Sequence, residues 1–182
     1  MKIAVLSDIH DHIWNLEKAK KIIKKEKCEA VIFCGDMCAP FTTGILTQTG
    51  LPTYAVWGNV DEDHWAMVQK GGKNFFAAPL SQEFNEQILG GKKIAFCHYP
   101  KLGELLATTG YYDAVFHGHT HRTYQKKVGK TPPAGPLRRI EASRQVLLAN
   151  PGAVCGIVLG KPGLASFMLY NTTKSSVELV EL

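Results

Sequence analysis

A chain of 182 residues, 45% hydrophobic and 20% charged, has the length and balance of one compact globular domain spanning residues 1–182. No apolar run approaches the roughly 18 residues of a membrane span, and polar residues follow Leu6 too soon for a signal peptide, so no membrane association and a cytoplasmic location are expected. The net charge of +5 is local: Arg122 to Arg144 holds seven basic residues and one acid, leaving the rest of the chain at −1. Five cysteines (Cys28, Cys34, Cys38, Cys97 and Cys155) form no C-x-x-C pair, which argues against a disulfide framework or a zinc ribbon and for free buried thiols.

In chain order, Ile3–Leu6 is a short apolar run that reads as a strand. Trp14–Lys27 carries Leu16, Ala19, Ile22 and Ile23 at helical spacing with lysines on the other face. Ala30–Cys34 is a second strand, Phe41–Thr49 a short helix after Pro40, Thr53–Trp57 a third strand and Asp61–Lys70 a helix. This βαβαβ pattern predicts a parallel sheet covered by helices. Gln82–Leu89 and Lys92–His98 flank Gly90-Gly91, a hairpin signal. Lys101–Thr109 reads as a helix. Ala114–Phe116, Arg122–Val128, Val146–Ala149, Leu164–Tyr170 and Ser176–Val180 read as strands, and Asn150-Pro151-Gly152 as a turn.

Polar residues at the predicted strand ends point to chemistry. Asp8-Ile9-His10 follows the first strand, Gly35-Asp36 the second and Gly58-Asn59-Val60-Asp61 the third. Sites in open parallel sheets form at the carboxyl ends of strands. Later strands add His98 and then Gly118-His119-Thr120-His121, where strand alternation would turn His119 and His121 to one side. Glycine before Asp36, Asn59 and His119 permits close backbone approach. Each motif alone is common in turns and caps, but their conjunction in this order is not. Mixed carboxylate, amide and imidazole donors suit two divalent transition-metal ions, manganese first, with iron, zinc or nickel as alternatives. No thiolate is in the set, so a structural zinc site is not expected.

The motifs D-x-H, G-D, G-N-x-D, H and G-H-x-H, in that order, resemble the calcineurin-like metallophosphoesterase superfamily. The short chain and Asn150-Pro151-Gly152 are most similar to its small bacterial and archaeal phosphodiesterase branch. The resemblance implies an α/β sandwich of two mixed β-sheets flanked by helices. It implies one metal on Asp8, His10, Asp36 and His121 and another on Asp36, Asn59, His98 and His119, bridged by Asp36. Hydrolysis of phosphate diesters by a hydroxide activated between the metals follows from it. Asn59 and Asp61 are then the candidate catalytic residues, Asp61 from a second layer where it orients a ligand or water.

Three departures stand out. Val60 occupies the place where many relatives carry a general-acid His, so the donor for leaving-group protonation is missing from its expected position. Tyr99-Pro100 stands where many relatives have Gly-His. The Gly129–Gln145 segment is longer than a simple hairpin, and its basic residues suggest a flap beside the substrate. His12, His64 and His117 fall outside the ligand set. The alternatives to a phosphodiesterase are a phosphomonoesterase on nucleotides or sugar phosphates and a metal-binding interaction scaffold. The expected partner is a small phosphate-ester substrate. No nucleic-acid motif is present, and a homo-oligomer is compatible with the sequence.

Overall fold

A computed structural model of the chain describes residues 1–129 and 145–182. The flap expected over Gly129–Gln145 falls on 130–144, outside the described residues. Two mixed sheets stack face to face. The first has the order β13-β12-β1-β2-β3-β4, made of β1 (Lys2–Leu6), β2 (Ala30–Phe33), β3 (Thr53–Ala55), β4 (Phe75–Ala77), β12 (Ser166–Asn171) and β13 (Ser176–Glu181). Its strands β1 to β4 run parallel, and β12 and β13 are antiparallel additions. The second has the order β5-β6-β7-β9-β8, made of β5 (Phe84–Leu89), β6 (Lys92–Cys97), β7 (Ala114–Phe116), β8 (Thr123–Val128) and β9 (Val146–Pro151). There β6, β7 and β9 are parallel, with β5 and β8 antiparallel at the edges.

Period-two burial explains this layering. Ile3, Val5, Ala30, Ile32, Met168 and Tyr170 face inward from the first sheet onto Ile94, Phe96, Ala114, Phe116 and Ala149 of the second. The alternate residues of the first sheet, including Ala4, Leu6, Val31, Phe33, Phe167 and Leu169, face Leu16, Ala19, Ile23, Leu46 and Met67. Those residues lie on α1 (Ile13–Lys25), α2 (Pro40–Thr47) and α3 (His64–Gly71). On the far side, Ala95, Val115, Val146 and Leu148 pack against Ala107 of α4 (Pro100–Thr108). Because both sheets are covered on both faces, their central strands read as continuous apolar runs. Phe116 and Tyr170 meet edge to face at 5.4 Å between the sheets, and each buried side chain of this size contributes about 1.5–3 kcal/mol.

The predicted α/β sandwich is therefore observed, with some shifted boundaries. The helix after β1 ends at Lys25 instead of Lys27, because Lys27 turns into the left-handed region (φ 53°). The helix α3 begins at His64, since Asp63 caps it by accepting from Ala66 N at 3.0 Å. Strand β9 runs through Asn150 and Pro151, paired with Tyr124 and Thr123, where the sequence suggested a turn. Strand β4 and a small hairpin, β10 (Ile157–Val158) with β11 (Lys161–Pro162), were not read from the sequence. The hairpin's strands, at two residues each, are too short for periodicity to register. Among the described residues, no helix is long and apolar enough to cross a membrane.

Candidate metal centre

The carboxyl ends of β1, β2 and β3 lie side by side, and those of β6 and β7 open toward the same place. Hydrogen bonds stitch the resulting loops together. Asp8 N donates to Gly35 O at 3.0 Å, Ile9 N to Asp36 O at 2.9 Å, Gly118 N to His98 O at 3.0 Å and His119 N to Asp8 Oδ2 at 3.0 Å. Asp8, His10, Asp36, His119 and His121 all have φ between 45° and 69°. Left-handed backbone at a non-glycine residue costs about 1–3 kcal/mol and persists only where surrounding structure enforces it. Five such residues at one locus mark a place organised for something other than stability.

Close packing at two glycines makes this locus possible. A Cβ on Gly58 would lie 2.0 Å from Asp36 Oδ1, and one on Gly118 would lie 1.8 Å from Ser7 Oγ and 2.7 Å from Asp8 Oδ2. The close approach expected of these glycines is thus observed.

All seven predicted donors converge, in two groups. In the first, His121 Nε2 lies 3.2 Å from both Asp8 Oδ1 and His10 Nε2, and His10 Nε2 lies 3.5 Å from Asp36 Oδ2. In the second, His98 Nε2 lies 3.5 Å from that same Asp36 Oδ2, and Asn59 Oδ1 lies 3.0 Å from both His98 Nε2 and His119 Nδ1. Asp36 Oδ2 therefore sits equally far from a histidine of each group, while Asp36 Oδ1 accepts from Val60 N at 3.1 Å.

The rings are anchored from behind. His98 Nδ1 is 2.8 Å from Cys34 O, and His121 Nδ1 meets Ile157 O. A carbonyl only accepts, so these nitrogens carry protons and Nε2 is the ring atom left to face the other donors. His98 Nε2 faces Asn59 Oδ1 and His121 Nε2 faces Asp8 Oδ1, nitrogen-to-oxygen contacts that a shared cation would bridge. Asp8 Oδ1 is also buried without a hydrogen bond. Three overlapping sets, Asp8/His10/Asp36, Asp36/His98/His119 and His10/His121/Cys155, have donor atoms close enough to hold an ion.

The electrostatics agree. Burial pushes the Asp8 carboxyl up, but the His10 and His121 rings and the Ser7 hydroxyl beside it outweigh that and hold the group well below the usual range. Without a cation present, the Asp8 carboxylate and then Cys155 push His121 up to about 11. Burial raises Asp36, against the opposing influence of His98 and the Val60 N–H.

Asp61 is buried, and its carboxylate accepts four backbone N–H groups: Asp36 at 3.0 Å, Met37 at 2.7 Å, Cys38 at 2.9 Å and Gly58 at 2.7 Å. It fixes the loops that carry Asp36 and Asn59. Strand alternation, by contrast, does not position His119 and His121. The strand ends at Phe116, and the two left-handed residues send one ring to each group.

Of the remaining histidines, His12 caps α1 by accepting from Asn15 N at 3.3 Å, and His64 lies edge-on to Trp57 at 4.4 Å. Buried His117 bonds the Tyr124 hydroxyl and supports the loop behind the site. Sequence reasoning missed Asn150, whose amide bridges Gly118 O at 2.9 Å and Thr120 Oγ1 at 3.0 Å. It also missed two thiols near the centre: Cys38 Sγ at 3.5 Å from His10 Nδ1 and Cys155 Sγ at 4.0 Å from His121 Nδ1. Both touch the nitrogen opposite the one that faces the other donors. All five cysteines are free, and all but Cys38 are buried.

The family model of the calcineurin-like phosphoesterase superfamily domain matches residues 1–175. The chain is 30% identical over 164 residues to phosphodiesterase MJ0936 of Methanocaldococcus jannaschii, covering 89% of each protein. Its structure is similar to that of an archaeal phosphodiesterase, with a TM-score of 0.82, 26% identity and full coverage of both chains. The E. coli phosphoesterase YfcE shares the fold at a TM-score of 0.65 and 17% identity, covering 99% of this chain and 98% of that one. Zinc-complexed Vps29 of Entamoeba histolytica shares it at 0.64 and 19%, covering 100% and 98%. By the match across nearly its whole length, the chain belongs to the calcineurin-like phosphoesterase superfamily.

Proposed function

We propose that the chain is a binuclear metal-dependent phosphodiesterase. One observation carries the reading: Asp36 Oδ2 lies 3.5 Å from His10 Nε2 and 3.5 Å from His98 Nε2, between two groups of donors. Asp8, His10, Asp36 and His121 would hold one ion, and Asp36, Asn59, His98 and His119 the other. Manganese is the expected metal, since the seven donors are oxygen and imidazole and the Cys155 thiol lies on the far nitrogen of His121.

Ions held by these residues would supply a lowered pKa for bound water and would neutralise charge developing on the phosphoryl oxygens. The chain's own residues keep the donors in place before substrate arrives. Cys34 O and Ile157 O set the tautomers of His98 and His121. Asp61 holds the Asp36 and Gly58 backbones in one arrangement. Val60 has no proton to give, so its side chain cannot protonate a leaving group. The phosphodiesterase relative at 30% identity supports a diester substrate over a monoester.

The test is hydrolysis of bis(p-nitrophenyl) phosphate and p-nitrophenyl phosphate by purified protein with added Mn²⁺. The reading expects faster turnover of the diester, abolished by chelation. Activity that persists after complete metal removal would overturn it.

A further inference from the structure

A groove of about 750 Å³ runs away from the metal centre, lined by His119, His121, Arg122, Tyr124, Ile157 and Leu159. One end is formed by two of the proposed metal-holding histidines. Away from them the lining is mainly apolar, from Tyr124, Ile157 and Leu159 with Arg122 the charged exception, and the β10–β11 hairpin forms a wall. The Tyr124 hydroxyl is engaged by His117, which leaves its ring as an apolar surface.

The hairpin's turn is unusual. Val158 pairs with Lys161, so the turn is the two residues Leu159 and Gly160, both left-handed at φ 51° and 74°. Such turns favour Asn, Asp or Gly at the first position, because a branched, bulky side chain is strained there. Leu159 is nonetheless 79% exposed at this strained position, so it contributes little to the core. Its strained backbone together with its place in the groove lining singles Leu159 out as a residue positioned to meet a ligand. The same hairpin fixes His121 through Ile157 O, so the apolar wall and the metal centre are rigidly related.

We infer that this groove receives the ester arm that stays on phosphorus, and that the substrates are phosphate diesters whose retained arm is bulky and apolar. The inference rests on the phosphodiesterase reading above. The occupant follows from continuity: a phosphorus held between the two donor groups lies at the end of the groove that His119 and His121 form, and its second ester substituent then runs along the groove. The volume suits an organic arm of substantial size.

The experiment compares bis(p-nitrophenyl) phosphate with methyl p-nitrophenyl phosphate in wild type and Leu159→Asn, with Mn²⁺ present and metal content measured. The two esters share a leaving group and differ in the retained arm, aryl against methyl. Asn tolerates left-handed backbone, so the variant should fold at least as well as wild type. Expected is a loss of about tenfold in kcat/KM on the diaryl ester, carried by KM, with the methyl ester within about twofold of wild type. Equal kinetics on both esters in variant and wild type would overturn the inference and leave the phosphodiesterase reading intact. A parallel loss on both esters would also overturn it, making the hairpin a support for His121 only. Failure of wild type to hydrolyse either ester would remove the underlying reading and this inference with it.

Discussion

Replacing Asp61 with asparagine isolates the internal support of the centre. The carboxylate accepts four backbone N–H groups at 2.7–3.0 Å: Met37 and Cys38 on Oδ1, Asp36 and Gly58 on Oδ2. An amide keeps one acceptor oxygen and turns an NH2 toward the other pair. Two buried N–H groups then face a donor, each costing about 1–3 kcal/mol, and the surviving bonds lose their charge assistance. The expected loss of stability is therefore about 2–6 kcal/mol. The same change frees the Asp36 backbone and should weaken metal binding by about 10–100-fold, the usual effect of removing an outer partner. Urea unfolding of metal-free protein reads the first effect, and titration with Mn²⁺ reads the second. An Asp61→Asn protein with wild-type unfolding midpoint and wild-type metal affinity would refute the argument that this carboxylate holds the loops.

Other expectations follow from the same geometry. Gly58→Ala should cost metal affinity and activity more than it costs secondary structure, since its Cβ would fall 2.0 Å from Asp36 Oδ1; circular dichroism with metal analysis separates the two. Because Val60 offers no proton, and His12 and His64 are engaged in a helix cap and a ring contact, diester cleavage should depend steeply on leaving-group pKa. A flat dependence of the chemical step across a series of aryl diesters would reveal a general acid elsewhere. Burial raises Tyr124 to about 12, from 10 when unfolded. Its contribution is thus complete below pH 10 and lost as pH climbs to 12, so stability should fall across that window in wild type and less steeply in Tyr124→Phe.

Much of the fold is legible in the chain because burial on both faces of each sheet leaves apolar runs that stand out, as at Ala30–Phe33 and Val146–Ala149. The seven donors are legible because each follows such a run in a short polar motif. What escapes is what sequence distance hides. Nothing local to Asp61 announces that it caps the loop at 36–38, or that Asn150 ties the loop at 118–120. The placement of His119 and His121 rests on left-handed backbone, and a strand template extended past Phe116 gives both rings the same direction. The β10–β11 hairpin is too brief to show periodicity, and Leu159 at its turn contradicts the residue preference that would have announced it.

Asp36 as the joint between two metal positions is the feature on which the proposed chemistry depends. Its most direct test is metal stoichiometry in wild type, His10→Ala, His98→Ala and Asp36→Ala, each loaded with Mn²⁺ and freed of excess by gel filtration. Two ions per chain are predicted for wild type, close to one for each histidine variant, and close to none for Asp36→Ala. A single ion in wild type, or an Asp36→Ala protein that retains both, would contradict the account.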